Sequence, residues 1–379
     1  GRGGGLLIFC RQITWLVQIK QVMKYLICIS LIFGAFSIKA QQKISLSGTI
    51  VDDSGHPISG VTVFLANTKN ATATDAFGKF NLNGLPAGNY QLITSMIGFE
   101  SADQNIKLQD ELVNIIIKLK QSNQLLNAVN ITSTPKNRQF LNIFIKNFIG
   151  SSPNASKCKI LNTEVLNFTK NKEKNTLEAT TDDFLVIEND ALGYRLKYLL
   201  KNFVYYFQYD VCDYDGEPFF EELKGTEQQQ QQWALNRKIA YLGSSRHFFR
   251  SVMNKNSIQE GFYVKTLNQK KGQLLTPVNI DTVMTPINSN INALIKKKIV
   301  LKGKVTEIKP IYYISYIMTD PEERSWIRQF ADTIMVDKNG NIVRGMGFSF
   351  HGKWATQRIS DLTPLDYFVD PPEGKSNKP

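Results

Sequence analysis

Histidine is scarce. His56, His247 and His351 are the only three in 379 residues. A catalytic zinc site needs about three protein ligands around an open position, and histidine supplies most of them. No H-x-x-E or H-E-x-x-H arrangement occurs: His247 is followed by Phe248, Phe249 and Arg250, and His351 by Gly352, Lys353 and Trp354. A metal-dependent peptidase is therefore excluded, and no cofactor is expected. Cysteine is scarce too, with four in all and only Cys158 and Cys212 beyond residue 40. Two cysteines make no disulfide framework, and they read as free thiols buried in strands. A nucleophile elbow is also missing. Gly243-Ser244-Ser245-Arg246-His247 lacks the closing glycine, so Ser244 or Ser245 reads as a helix N-cap.

Long apolar runs are missing as well. The longest, Tyr25–Phe36, is too short for a membrane span. It follows Met23-Lys24 and precedes Ser37-Ile38-Lys39-Ala40, the layout of an export signal over residues 23–40 with a mature chain beginning near Gln41, or else of an uncleaved N-terminal anchor. Gly1–Val22 reads as an over-extended or non-native N-terminus. Loss of residues 1–40 removes five basic and no acidic residues, so the net charge falls from +12 to +7. The remaining excess lies beyond residue 121, densest at Lys296-Lys297-Lys298 with Lys302 and Lys304. An exported chain does not meet nucleic acid. Candidate anionic partners are lipid headgroups, lipopolysaccharide or acidic glycan.

What is present is a dense pattern of turns between Ile44 and Leu119. Ser47–Asp52 leads into the turn Asp53-Ser54-Gly55-His56-Pro57, and Val61–Leu65 alternates after it. Asp75-Ala76-Phe77-Gly78 separates Ala71–Thr74 from Lys79–Leu82, and Leu85-Pro86-Ala87-Gly88 turns the chain toward Tyr90 and Leu92. Asp and Ser cap their own backbone, Gly takes positive φ and Pro presets an exit, so each mark is a turn with a mechanism. Short alternating strands between such turns describe a small antiparallel sandwich, with Tyr90 as a core aromatic and Asn114–Leu119 as the closing strand.

In order and spacing this stretch resembles the carboxypeptidase-regulatory-like domain family. That resemblance implies a transthyretin-like (prealbumin-like) β-sandwich and an address in the Gram-negative envelope. It carries no peptidase residues across. In outer-membrane transporters bearing the domain, a strand like Leu125–Thr132 leads into a plug and barrel. Here a polar linker follows instead, and the reading is a stand-alone form.

Beyond the sandwich (residues 41–121) and the strand and linker (122–137), residues 138–368 read as a mixed, mostly antiparallel α+β domain of mainly β fold, with a disordered tail over 369–379. Phe140, Leu141, Phe144, Ile145 and Phe148 share a helical face. Thr226 and Gln229 form a capping box for a helix through Trp233 to Tyr241, and a second short helix covers Arg246–Met253. Strands are expected at 160–168, 176–180, 184–188, 194–200, 203–209, 219–223, 262–267, 299–308, 311–318, 333–336 and 342–350, with Asp337–Asn341 as a hairpin turn.

Two clusters carry candidate chemistry. Arg237, Arg246, His247 and Arg250 form a candidate anion or ligand patch beside a helix N-terminus, or else tie two helices to a sheet. Asp213, Asp215, Glu217, Glu221 and Glu222, beside Tyr205, Tyr206, Tyr209, Tyr214, Phe219 and Phe220, form a candidate glycan site, or else an Asp-Gly hairpin turn with acids on its wet face and the aromatics in the core. Asp213-x-Asp215-Gly216 lacks the register of a calcium loop. The functional expectation is a non-catalytic envelope binding or assembly protein, periplasmic or at the outer membrane, with an envelope protein or glycan as partner. The alternative is a glycan-binding or glycan-hydrolysing protein that uses segment 205–222. The sandwich is expected to fold and melt independently of the rest.

Overall fold

Period-two burial sets the first strand. In β1 (Ile44–Val51) every second residue is buried, so Ile44, Leu46 and Ile50 face one side. The computed structural model describes residues 44–109, 112–122, 135–268, 274–287, 298–301, 311–329, 333–336, 340 and 348–369. The readings for residues 1–43, Leu125–Thr132 and the 370–379 tail lie outside these, as do Lys296, Lys297, Lys302 and Lys304 and, apart from Gly340, the Asp337–Asn341 turn.

The sandwich continues with β2 (Thr62–Leu65), β3 (Ala71–Ala73), β4 (Lys79–Leu85), β5 (Gly88–Ser95), β6 (Ala102–Leu108) and β7 (Leu112–Lys118). One sheet runs β4-β1-β7 and the other β3-β2-β5-β6. All pairs are antiparallel except β1 with β7, which the closing strand enters in parallel. Leu46, Ile50, Val63, Leu65, Phe80 and Leu92 fill the space between the sheets. The turns follow their chemistry. Asp75 Oδ1 accepts from the amides of Phe77 (2.9 Å) and Lys79 (2.8 Å), and Gly78 sits at φ +69°. Gly84 rather than Gly88 takes the positive φ near the next turn. Tyr90 is only half-buried and donates its hydroxyl to the Pro86 carbonyl (2.9 Å).

Helix α1 (Pro135–Ile149) begins inside the stretch read as linker and ends at Gly150, φ +102°. Its Phe140, Phe144 and Phe148 are buried, as their spacing predicts. The helix lies on a six-stranded antiparallel sheet formed by β8 (Cys158–Ile160), β9 (Leu166–Asn171), β10 (Thr176–Thr181), β11 (Leu185–Asn189), β12 (Tyr194–Tyr206) and β13 (Val211–Glu222). The two strands expected at 194–200 and 203–209 are one long strand. A register shift between Leu200 and Asn202, at Lys201, produces the apparent break. Likewise the single strand expected at 160–168 is two, β8 and β9, joined by a short 3-10 turn over Thr163–Val165.

Helices α2 (Glu227–Tyr241) and α3 (Ser245–Met253) follow, the first closed by the Thr226–Gln229 capping box and the second capped by Ser244, whose hydroxyl accepts from the His247 amide (3.2 Å). A five-stranded sheet then runs β15 (Leu274–Val278), β14 (Phe262–Asn268), β18 (Ile311–Tyr316), β19 (Glu323–Gln329), β21 (Phe348–Gly352), with Phe248, Phe249 and Val252 of α3 packed on one face. The sequence reading missed β19, whose charged, mixed pattern hides its alternation. Helix α4 (Ile280–Val283), the strands β16 (Met284–Ile287), β17 (Lys298–Leu301) and β20 (Thr333–Met335) of a small sheet, and helix α5 (Lys353–Thr356) complete the described elements. The chain is thus mainly β, in several largely antiparallel sheets. No helix among the described residues is long and apolar enough to cross a membrane.

The sandwich is joined to the six-stranded sheet. Phe64, Ala66 and Ile93 from β2, its following turn and β5 share a buried cluster with Phe184 and Phe219. The ring centroid of Phe64 lies 4.8 Å from that of Phe219 and 5.7 Å from that of Phe184. Backbone bonds run both ways: Asn67 N–H to the Pro218 carbonyl (2.6 Å) and Phe220 N–H to the Thr68 carbonyl (2.9 Å).

Candidate functional site

The three arginines of the candidate anion patch donate to backbone carbonyls. On α2, Trp233 donates to the Asp190 carbonyl (2.9 Å), Asn236 to that of Ala191 (2.7 Å), and Arg237 to those of Leu192 (2.7 Å) and Gly193 (3.2 Å). Three side chains on one helical stretch therefore read four successive carbonyls of one turn. Buried Asn189 closes the same turn, accepting from the amides of Ala191 and Leu192. Arg237 also lies over the Tyr194 ring, 3.9 Å from its centroid. A side chain on Gly193, at φ +68°, would collide with the Trp233 ring.

Arg246 and Arg250 hold the C-terminal segment. Arg246 donates to the carbonyls of Thr363 and Pro364, and Arg250 to those of Leu365 (3.3 Å) and Tyr367 (3.2 Å) and to the Tyr241 hydroxyl (2.9 Å). Arg250 is buried and stacks on Phe368, 4.6 Å from its centroid. His247 is buried between them. Its Nδ1 accepts from the Gly243 amide (3.1 Å), which leaves Nε2 to donate to Glu260 (3.2 Å). Burial lowers its pKa below the usual histidine value despite Glu260, and Arg250 pushes the same way. The alternative weighed at the sequence level, arginines tying helices to the rest, describes these contacts. Arg237 serves a different segment from Arg246 and Arg250, so the four do not converge on one anion.

The acidic cluster is not a hairpin turn. It lies along β13, and the turn is at residues 207–210. Phe220 faces the α1 side, and Phe219 faces the sandwich. By strand alternation Asp213, Asp215, Glu217 and Glu221 share the Phe219 face. Glu217 is buried and pairs with Lys201 (3.2 Å) at the bulge. Its pKa is raised by burial, against the pull of Lys201. Burial, with Asp215 beside it, also raises Asp213. Glu221 pairs with Lys197 (2.8 Å), and Glu222 with Lys69 (3.0 Å) and Arg237 (3.9 Å). Glycoside hydrolysis needs two carboxylates facing each other across the sugar. These stand side by side on one strand, three of them neutralised by cations. Among the described residues, no group of three or more His, Cys, Asp or Glu could hold a metal ion.

Residues 46–131 match the CarboxypepD_reg-like domain. A TonB-dependent receptor of Formosa agariphila is 34% identical over 91 residues, which cover 23% of this chain and 8% of the receptor. The sandwich is a CarboxypepD_reg-like domain. The chain spans less than a tenth of that receptor's length, so the shared segment is this domain. Among solved structures, a minor pilin of Streptococcus agalactiae matches 22% of this chain and 47% of its own, at 19% identity and a TM-score of 0.20. A 3-chlorocatechol 1,2-dioxygenase of Rhodococcus opacus matches 21% and 60%, at 12% identity and a TM-score of 0.19. Scores of this size carry no argument about role.

The CarboxypepD_reg-like domain turns the outer face of its four-stranded sheet onto β12 and β13, through Phe64 and Ile93. Sequence reasoning missed this contact, although Phe64 and Ile93 sit out of phase with the core alternation of their strands, which is its one visible signal. Cys158 and Cys212 are both unpaired. Burial pushes the Cys158 thiol up to about 12 and raises that of Cys212, so neither is an activated nucleophile.

Proposed function

We propose that this chain is a non-catalytic cell-envelope protein in which the CarboxypepD_reg-like domain docks and stabilises a larger body that presents binding surfaces at the periplasm or outer membrane. The observation that supports this reading is the Phe64–Phe184–Phe219 cluster: the domain's exposed sheet face is closed on its own chain. A TonB-dependent receptor bearing the same domain supports the envelope address. The candidate catalytic groups are held in structural contacts, with the arginines on carbonyls and the glutamates on lysines. Envelope fractionation with in-cell crosslinking tests the proposal. The expected result is recovery with membranes or periplasm, joined to an envelope protein or glycan. Recovery from the cytoplasm, or turnover of a peptide or glycoside by the purified protein, overturns it.

A second reading keeps a glycan contact at segment 205–222. Tyr206 and Tyr209 are 37% and 65% exposed at the tip of the hairpin that carries Asp213 and Asp215. Loss of sugar binding on Tyr209→Ala would favour it.

A further inference from the structure

One face of the five-stranded sheet packs on α3; the opposite face is an ordered grid of side chains. Backbone register places Pro277, Lys265, Tyr313, Trp326 and His351 directly opposite one another across all five strands. Two residues away on one side, Tyr263, Ser315 and Arg324 form a parallel row, and on the other side Ile311, Arg328 and Ser349 do so. The core-facing neighbours Val264, Tyr312, Ile314 and Ile327 are buried, which fixes the grid on the other face.

The central row is aromatic and aligned. The rings of Tyr313 and Trp326 are 6.1 Å apart and 27° from parallel, and those of Trp326 and His351 are 5.4 Å apart and 4° from parallel. Near-parallel rings at this separation are offset, so each leaves part of its face uncovered. The Ser349 hydroxyl lies 2.9 Å from His351 Nε2 and fixes that ring. Tyr263 is 44% exposed and Arg324 and Arg328 are exposed, while Tyr313, Trp326 and His351 keep partial access to solvent. The charges are of one sign: Lys265, Arg324 and Arg328 flank the rings, and no carboxylate occurs among the described residues of the three rows. Glu322, which pairs with Arg324 (2.6 Å), lies outside the rows, before β19 begins.

We propose that the Tyr313–Trp326–His351 face of this sheet binds an acidic polysaccharide. Offset ring faces on neighbouring strands, spaced like the repeat of an extended pyranose chain, offer C–H stacking surfaces to successive sugars. Lys265, one strand beyond Tyr313, and Arg328, two residues along β19 from Trp326, meet carboxylate or sulfate groups. A membrane surface would call for apolar side chains on protruding tips, whereas these rings stand on strands inside a sheet. A nucleic acid would call for a longer basic stripe. An extended peptide would pair with a sheet edge.

Titration of the purified full-length chain with oligogalacturonate, followed by tryptophan fluorescence and calorimetry, tests this. Saturable binding that weakens as salt is raised is expected, with neutral cello-oligosaccharide bound more weakly. Trp326→Ala should weaken binding about tenfold, the scale of one lost stacking contact, and Lys265→Glu should weaken it while reducing its salt dependence. Unchanged melting and circular dichroism in Lys265→Glu guard against misfolding. Binding unchanged in both variants overturns the proposal, as does equal or tighter binding of polyglutamate or oligothymidylate, or no binding of any acidic sugar. Failure here leaves the envelope address to the fractionation experiment, which reads a different property.

Discussion

At the scale of single residues, environment decides which ionisable groups matter. His247 is held neutral by a tautomer fixed from both sides, since protonating Nδ1 would set an N–H against the Gly243 N–H. The groups facing it are Glu260, Arg250, Tyr241, Phe262 and Tyr316. Its folded pKa lies below the unfolded value of 6.5, so the unfolded chain takes up the proton first as pH falls. The stability it contributes is complete above about pH 6.5 and is lost as pH drops through the folded pKa. We expect His247→Phe to lower stability near neutral pH and to narrow the gap from wild type on acidification, measured by denaturant midpoints at about pH 7.5 and 5.5. A constant gap would show that the histidine does not titrate differently on folding. Gly78 is a backbone case. It sits at φ +69°, and a Cβ there would meet the Ile50 carbonyl oxygen at 2.5 Å. Gly78→Val should cost about 1–3 kcal/mol from backbone strain alone, and more with the collision. Gly88→Val, with no positive φ to lose, should cost less in the same melts.

Among elements, the C-terminal segment ties the fold together. Its carbonyls at Thr363, Pro364, Leu365 and Tyr367 are taken by α3, its Leu365 N–H reaches the Asn67 carbonyl of the sandwich (2.7 Å), and Ser360 accepts from buried Asn189 (2.8 Å). Arg250→Met keeps much of the side-chain volume but leaves the Leu365 and Tyr367 carbonyls and the Tyr241 hydroxyl without this donor. We expect a loss of about 1–3 kcal/mol for the unsatisfied groups, together with new proteolytic cleavage beyond Leu362. Loss of stability with no new cleavage would mean that the segment is held by its other contacts.

At the scale of the molecule, two cores meet at a small third one. The sandwich buries its own residues, yet Phe64, Ile93, Phe184 and Phe219 form a cluster that belongs to neither side alone. Phe219→Ala should cost about 3–5 kcal/mol, as for a buried aromatic. Its more telling effect is on cooperativity. Wild type should melt in one transition and the variant in two, seen by calorimetry. Two transitions in wild type would restore the independent sandwich that the sequence leads one to expect.

The sequence by itself determined what is local. Asp75 and Gly78 fix a turn because a side-chain oxygen and a missing Cβ act within four residues. The aromatic face of α1 follows from a repeat of 3.6, and the caps at Thr226 and Ser244 from donors three residues on. A single family of turn spacings makes the sandwich legible in the sequence. Tertiary structure decided everything that depends on long-range partners. Arg246 and Arg250 became a clamp because segment 363–367, over a hundred residues away, brings its carbonyls to them. Three acids of β13 became ion-paired because other segments bring Lys201, Lys197 and Lys69 beside Glu217, Glu221 and Glu222. Tyr313, Trp326 and His351 lie on three strands, and only the register of the sheet aligns their rings. Register is set by pairing across the sheet, and pairing between distant segments leaves no periodic mark in either of them.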